Sequence, residues 1–116
     1  MASTRTIPKE EWRPFFDMIS KGLVGQRAEV EAASLDLGDQ IVAEWLPLVG
    51  ITYDSHNDLL DVAMVELDHL IRNPRAIVVQ ESKGSIESIA VEDADGETEV
   101  IRLKEPLMLP AASAGA

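Results

Sequence analysis

His69 is the residue of this chain best suited to acid–base work, because an imidazole changes charge close to neutral pH. It stands in Asp68-His-Leu-Ile-Arg72, where the adjacent carboxylate could orient or charge the ring. His69 and Arg72 are therefore the candidate binding residues. General acid–base catalysis also needs a second group on a substrate-sized cleft, and the sequence names none. The plainer reading is that both side chains bond backbone carbonyls where the chain leaves a hairpin. No catalytic residue is assigned.

Asp54, His56, Asp58 and Asp61 form a second constellation. Oxygen-rich clusters suit hard cations, and an imidazole adds affinity for zinc or nickel. Turn geometry alone accounts for Asp54 to Asp58, and Asp61 lies too far along to converge with them. Asp93-Ala-Asp-Gly96-Glu97 resembles part of a calcium loop. Strands flank it instead of helices, and no acid closes the loop, so it reads as a hairpin turn. There is no cysteine, no Gly-x-Ser-x-Gly elbow and no phosphate-cradling glycine loop. No metal ligand set and no cofactor are expected.

These residues hang on a central hairpin. From Ile41 every second residue is apolar: Ile41, Ala43, Trp45, Pro47, Val49, Ile51, Tyr53. A strand sends alternate side chains to opposite faces, so this register predicts one apolar stripe with Trp45 in the core. Pro47 and Gly50 suggest a bulge and a bend, as where a small barrel turns a corner. Asp54 to Asp58 make the turn, and Leu60, Val62 and Met64 alternate on the return.

Before the hairpin, Pro8-Lys-Glu-Glu opens a helical turn at 8–12, feeding a helix from about 13 to 21. Trp12, Phe15, Phe16 and Ile19 fall on one helical face, and Lys21-Gly22 is a fitting stop. A helix this short is unstable alone, so its aromatic face must cap a sheet. Residues 26–34 read as a half-exposed strand. After the hairpin, Leu67, Leu70 and Ile71 fit neither period, and Asn73-Pro74 marks a boundary. Ala76 to Gln80 is a β-branched strand. Ile86 to Glu92 and Thr98 to Leu103 make a second hairpin. Pro106-Leu-Met-Leu-Pro110 is an extended apolar strap, expected to cover the same region as the helix.

The expected fold is mainly β with a short N-terminal helix (α+β): a small antiparallel, SH3-like or Sm-like barrel or half-barrel of about six strands. Residues 1–6 and 111–116 are expected as flexible tails around one domain at 7–110. The 116 residues carry 21 acids against 10 bases, a net charge of −11. That balance argues against nucleic acid and anionic membrane as partners. No apolar run approaches the roughly 20 residues of a membrane helix, and the start lacks a signal peptide's apolar core. A cytoplasmic location is the default.

Four stretches carry a resemblance: Ile7-Pro-Lys-Glu-Glu-Trp12 with Phe15-Phe16; Gly50-Ile-Thr-Tyr-Asp54; Asp68-His-Leu-Ile-Arg72 with Pro74; and Asp93-Ala-Asp-Gly96 through Arg102-Leu to Pro106-Leu-Met-Leu-Pro110. Together they resemble a bacterial family of domains of unknown function, numbered 5335, over nearly the whole chain. One departure is an alanine-rich first strand: Ala28, Ala32 and Ala33. The resemblance implies domain extent and bacterial origin, and no activity or cofactor. The function expected is a non-enzymatic module for protein interaction or structure, with an unknown protein partner or a homodimer. The alternative is a ligand-binding or catalytic domain with a pocket around His69 and Arg72.

Overall fold

The computed structural model describes residues 2–34 and 38–108. In chain order these form β1 (Ala2–Thr6), a 3₁₀ turn (Lys9–Glu11), α1 (Trp12–Leu23), β2 (Arg27–Ser34), β3 (Gly38–Asp54), β4 (Leu59–Met64), β5 (Leu67–Arg72), β6 (Pro74–Ser82), β7 (Ser85–Asp93) and β8 (Thr98–Met108). The strands make one antiparallel sheet in the order β1-β6-β7-β8-β2-β3-β4-β5. The fold is mainly β with one short helix, as expected. The sheet has eight strands and not about six, and it is open, because its outermost strands β1 and β5 do not pair with each other.

Two segments supply the extra strands. Residues 2–6, expected as a loose tail, pair with β6 from Ala2↔Ser82 to Thr6↔Val78. Ile7 N–H then donates to Ile77 O at 2.9 Å, which ties the start of the chain to the core. The second is β5, which the sequence left unassigned. Its inward positions are Leu67, His69 and Ile71, so a polar residue interrupts the apolar alternation. The expected tail at 111–116, and the ends of the strap at Leu109 and Pro110, lie outside the described residues.

β3 is long because it serves two partners, β2 over its first half and β4 over its second. It does not keep one register. Its pairing slips between Ala28 and Val30 and between Val30 and Glu31 opposite β2, and between Leu48 and Gly50 opposite β4. Each extra residue turns the alternation over. The inward side chains therefore fall at Ala43, Leu48, Ile51 and Tyr53. Ile41 is 50% and Val49 54% exposed, against expectation. Trp45, expected in the core, sits at the bend with φ 52° and is only half-buried.

α1 lies along the side of β3 that β2 leaves free. β2 pairs with β3 no further than Arg27↔Pro47. Beyond it, the Ser20 hydroxyl donates to Ile51 O at 2.7 Å and accepts from Ile51 N at 3.0 Å, taking a ladder partner's place. The helix buries Trp12, Phe15, Phe16, Ile19 and Leu23. It runs past Gly22, and Pro14 is accommodated because a first-turn N–H has no helical acceptor to lose. The strap continues β8 instead of lying apart, with Leu107 buried and paired with Ile86. Gly22 meets it closely: a Cβ there would lie 2.8 Å from Leu107 Cδ1. Helix and strap thus cover the same part of the core.

Candidate functional site

His69 and Arg72 do not share a pocket. Three positions apart on β5, they leave the strand on opposite faces. Arg72 is exposed. His69 turns inward, where Nε2 meets Oε1 of Glu99 on β8. The two side chains are 20% and 8% exposed. The ring therefore bonds a carboxylate and not a backbone carbonyl. Glu99 was not singled out from the sequence, although a signal was present: it shares a face with Ile101 and Leu103, both buried. The two clefts of about 600 Å³ are lined by other residues.

The turn between β3 and β4 satisfies itself. The Asp54 carboxylate accepts from the side-chain amide of Asn57 at 2.8 Å and from the backbone N–H groups of His56 and Asn57 at 3.0 and 3.3 Å. Those bonds, the Asn57 amide foremost, hold its carboxyl below the usual range. Tyr53 donates its hydroxyl to Asp58 at 2.6 Å. Burial, and then the Asp58 carboxylate, push the phenol up to about 12. Asp61 is separate, on the outer face of β4. Burial, then the hydrogen bond and charge of Asp68, push its carboxyl up to about 6. A cleft of about 600 Å³ joins Asp54, His56 and Asp61 to Arg13 and Asp17 of α1. Among the described residues no three His, Asp or Glu side chains converge as metal ligands. In the β7–β8 turn, Asp93 Oδ1 accepts from Asp95 N at 2.9 Å and Glu97 N at 3.0 Å, and Gly96 takes φ 82°. That is a hairpin turn.

The sheet's free edges differ in chemistry. β1 is short, and its Ser3, Thr4, Arg5 and Thr6 are polar and exposed. The first half of β3 has no described strand on the side away from β2, but its bulges break the row of outward backbone groups. Both are devices that blunt an edge. β5 has neither. All of Leu67–Arg72 pairs with β4 without a slip, and β4 is the only described element packed closely along it. Its outer face carries Asp68, Leu70 and Arg72, with Leu70 39% exposed and Val65 exposed just before the strand. An unpaired strand presents N–H and C=O groups to another chain at every second residue. The edge of β5 is therefore the candidate site.

A family model described as a family of unknown function (DUF5335) matches residues 3–112. A protein of Aquifex aeolicus (strain VF5), described only as an uncharacterized protein, is 38% identical over 109 residues, covering 93% of this chain and 98% of that one. No solved structure matches.

Proposed function

This chain belongs to the DUF5335 family of unknown function, and we propose that it acts as a protein-interaction module through the open edge of β5. The observation that carries this reading is the regular, bulge-free pairing row of Leu67–Arg72 with exposed Leu70 at its centre. Strand addition at such an edge draws affinity from main-chain hydrogen bonds and specificity from alternate side chains. The net charge of −11 favours protein over polyphosphate partners. A ligand pocket built on His69 and Arg72 loses its basis, since the two side chains diverge and the imidazole is engaged by Glu99.

A photoreactive residue replacing Leu70 tests the reading in cells that produce the protein. It should trap a cross-linked product that the same residue at exposed Lys104, on β8, does not give. Equal or absent products at the two positions overturn it.

A further inference from the structure

Resting on that reading, we infer that the edge of β5 is taken up by β5 of a second copy of this chain, in a two-fold antiparallel pairing centred on Leu70. Two-fold axes are the commonest closed solution for identical subunits, and an antiparallel strand pair is itself two-fold symmetric. Leu67–Arg72 contains one carboxylate, Asp68, and one guanidinium, Arg72, two residues either side of Leu70. Centring on Leu70 places Leu70 against the partner's Leu70. It places Asp68 against the partner's Arg72, and Arg72 against the partner's Asp68. Side chains directly opposite lie about 4.5–5.5 Å apart at Cβ, close enough for both ion pairs. Of the two-fold registers open to this strand, only this one opposes its two charges with unlike sign. All three residues lie on the outer face and are exposed, and the carboxylate of Asp68, already hydrogen-bonded to Asp61 of β4, gains a guanidinium partner in this register. Ile71 points inward into the core and His69 inward onto Glu99, so neither takes part in the pairing. The pairing would join two eight-stranded sheets edge to edge. It covers one short strand per copy, so the dimer is weak and forms at micromolar concentrations.

Light scattering over a dilution series, with matched low and high salt, reads the association. Wild type should rise toward twice the chain mass at high micromolar concentration. Asp68→Arg alone and Arg72→Asp alone should each weaken dimerisation about tenfold or more, because two attractions become two repulsions. An equimolar mixture of the two single variants should dimerise again, since each supplies the charges the other lost. Both substitutions are at exposed positions, and circular dichroism confirms that each variant is folded. A wild type that stays monomeric at high micromolar concentration overturns the dimer. So does a dimer indifferent to either substitution, or a mixture that stays monomeric. A Leu70 cross-link to a different protein would leave the interaction reading standing while this inference falls. Absence of any cross-link at that position removes both.

Discussion

His69 and Glu99 touch across the inside of the sheet, although β2, β3 and β4 lie between their strands in the hydrogen-bonded order. β5 is an outermost strand and β8 is central, so the contact exists only because the sheet doubles over at the bends of β3. A side-chain pair, and no ladder, joins β5 to β8 here. Both groups are largely removed from water, and burying either alone would be costly. Their contact offsets that cost, which makes each the reason the other is tolerated.

Removing one member should therefore hurt more than removing both. Glu99→Ala is expected to cost about 2–3 kcal/mol, below the range for fully buried pairs because a fifth of the His69 side chain remains exposed. The double variant with His69→Ala should lose less than the sum of the singles. Urea midpoints of the four proteins measure the coupling. Additive losses would show that the contact does not tie β5 to β8.

Asp61 sets a pH dependence of the opposite kind to an ordinary surface acid. Its carboxyl rises from 3.8 to about 6, first through burial and then through Asp68. A raised folded-state pKa favours the native state below the unfolded value, and that contribution is lost as pH rises through the folded one. Replacing Asp61 by Asn should therefore leave stability unchanged near pH 4 and raise it above pH 6. After allowance for solvent screening at a half-buried site, the gain is on the order of 1 kcal/mol. Thermal midpoints across pH 4–7 check this. An equal effect at both ends would place the cause outside titration.

The strands that were legible in the sequence are those whose alternation is clean. β4 and β7 read correctly because the sheet buries one face of each, while β6 and β8 were read only in part, as Ala76–Gln80 within Pro74–Ser82 and Thr98–Leu103 within Thr98–Met108. β5 was illegible for a physical reason that is also its interest. Its inward His69 is held by Glu99, thirty positions away, and its outward Leu70 is apolar on the exposed face. Both exceptions erase the period-2 signal, and neither has a local cause. β3 misled in the same way: the pattern from Ile41 to Tyr53 is perfect, but bulges at Val42, around Trp45 and at Val49 reverse it three times. Bulges are set by pairing partners, which one chain read locally does not reveal. Among the candidate residues, His69 and Arg72 share one strand, β5. Their opposite orientations followed only once the strand was known.

Ser20 gives a test of how α1 is attached. Its hydroxyl is the partner of both Ile51 N and Ile51 O. Ser20→Ala leaves both without that partner beneath the helix and should cost about 1–3 kcal/mol. Substitution of exposed Met18, two residues earlier on α1, should be nearly silent. Amide exchange at Ile51 should accelerate in the Ser20 variant. If it does not, another group satisfies that edge.

The two tryptophans should behave oppositely, and this tests the bend of β3 directly. Trp12 is 1% exposed, donates its indole N–H to Ile7 O at 2.8 Å and packs edge-on against Tyr53 with centroids 5.1 Å apart. Trp12→Ala removes a fully buried aromatic and a hydrogen bond, and is expected to cost about 3–5 kcal/mol, enough to unfold a marginal domain. Trp45 is half-buried and holds a left-handed backbone at φ 52°. Its side chain contributes less, and Trp45→Gly relieves the backbone of a conformation that only glycine adopts freely. That variant should lose no more than about 1 kcal/mol. Fluorescence separates the two: the emission left in the Trp45 variant should be blue-shifted and resistant to acrylamide. A red-shifted, readily quenched residual emission, or a loss at Trp45 as large as at Trp12, would mean that the unbroken register is correct and that β3 does not bend where the bulges place it.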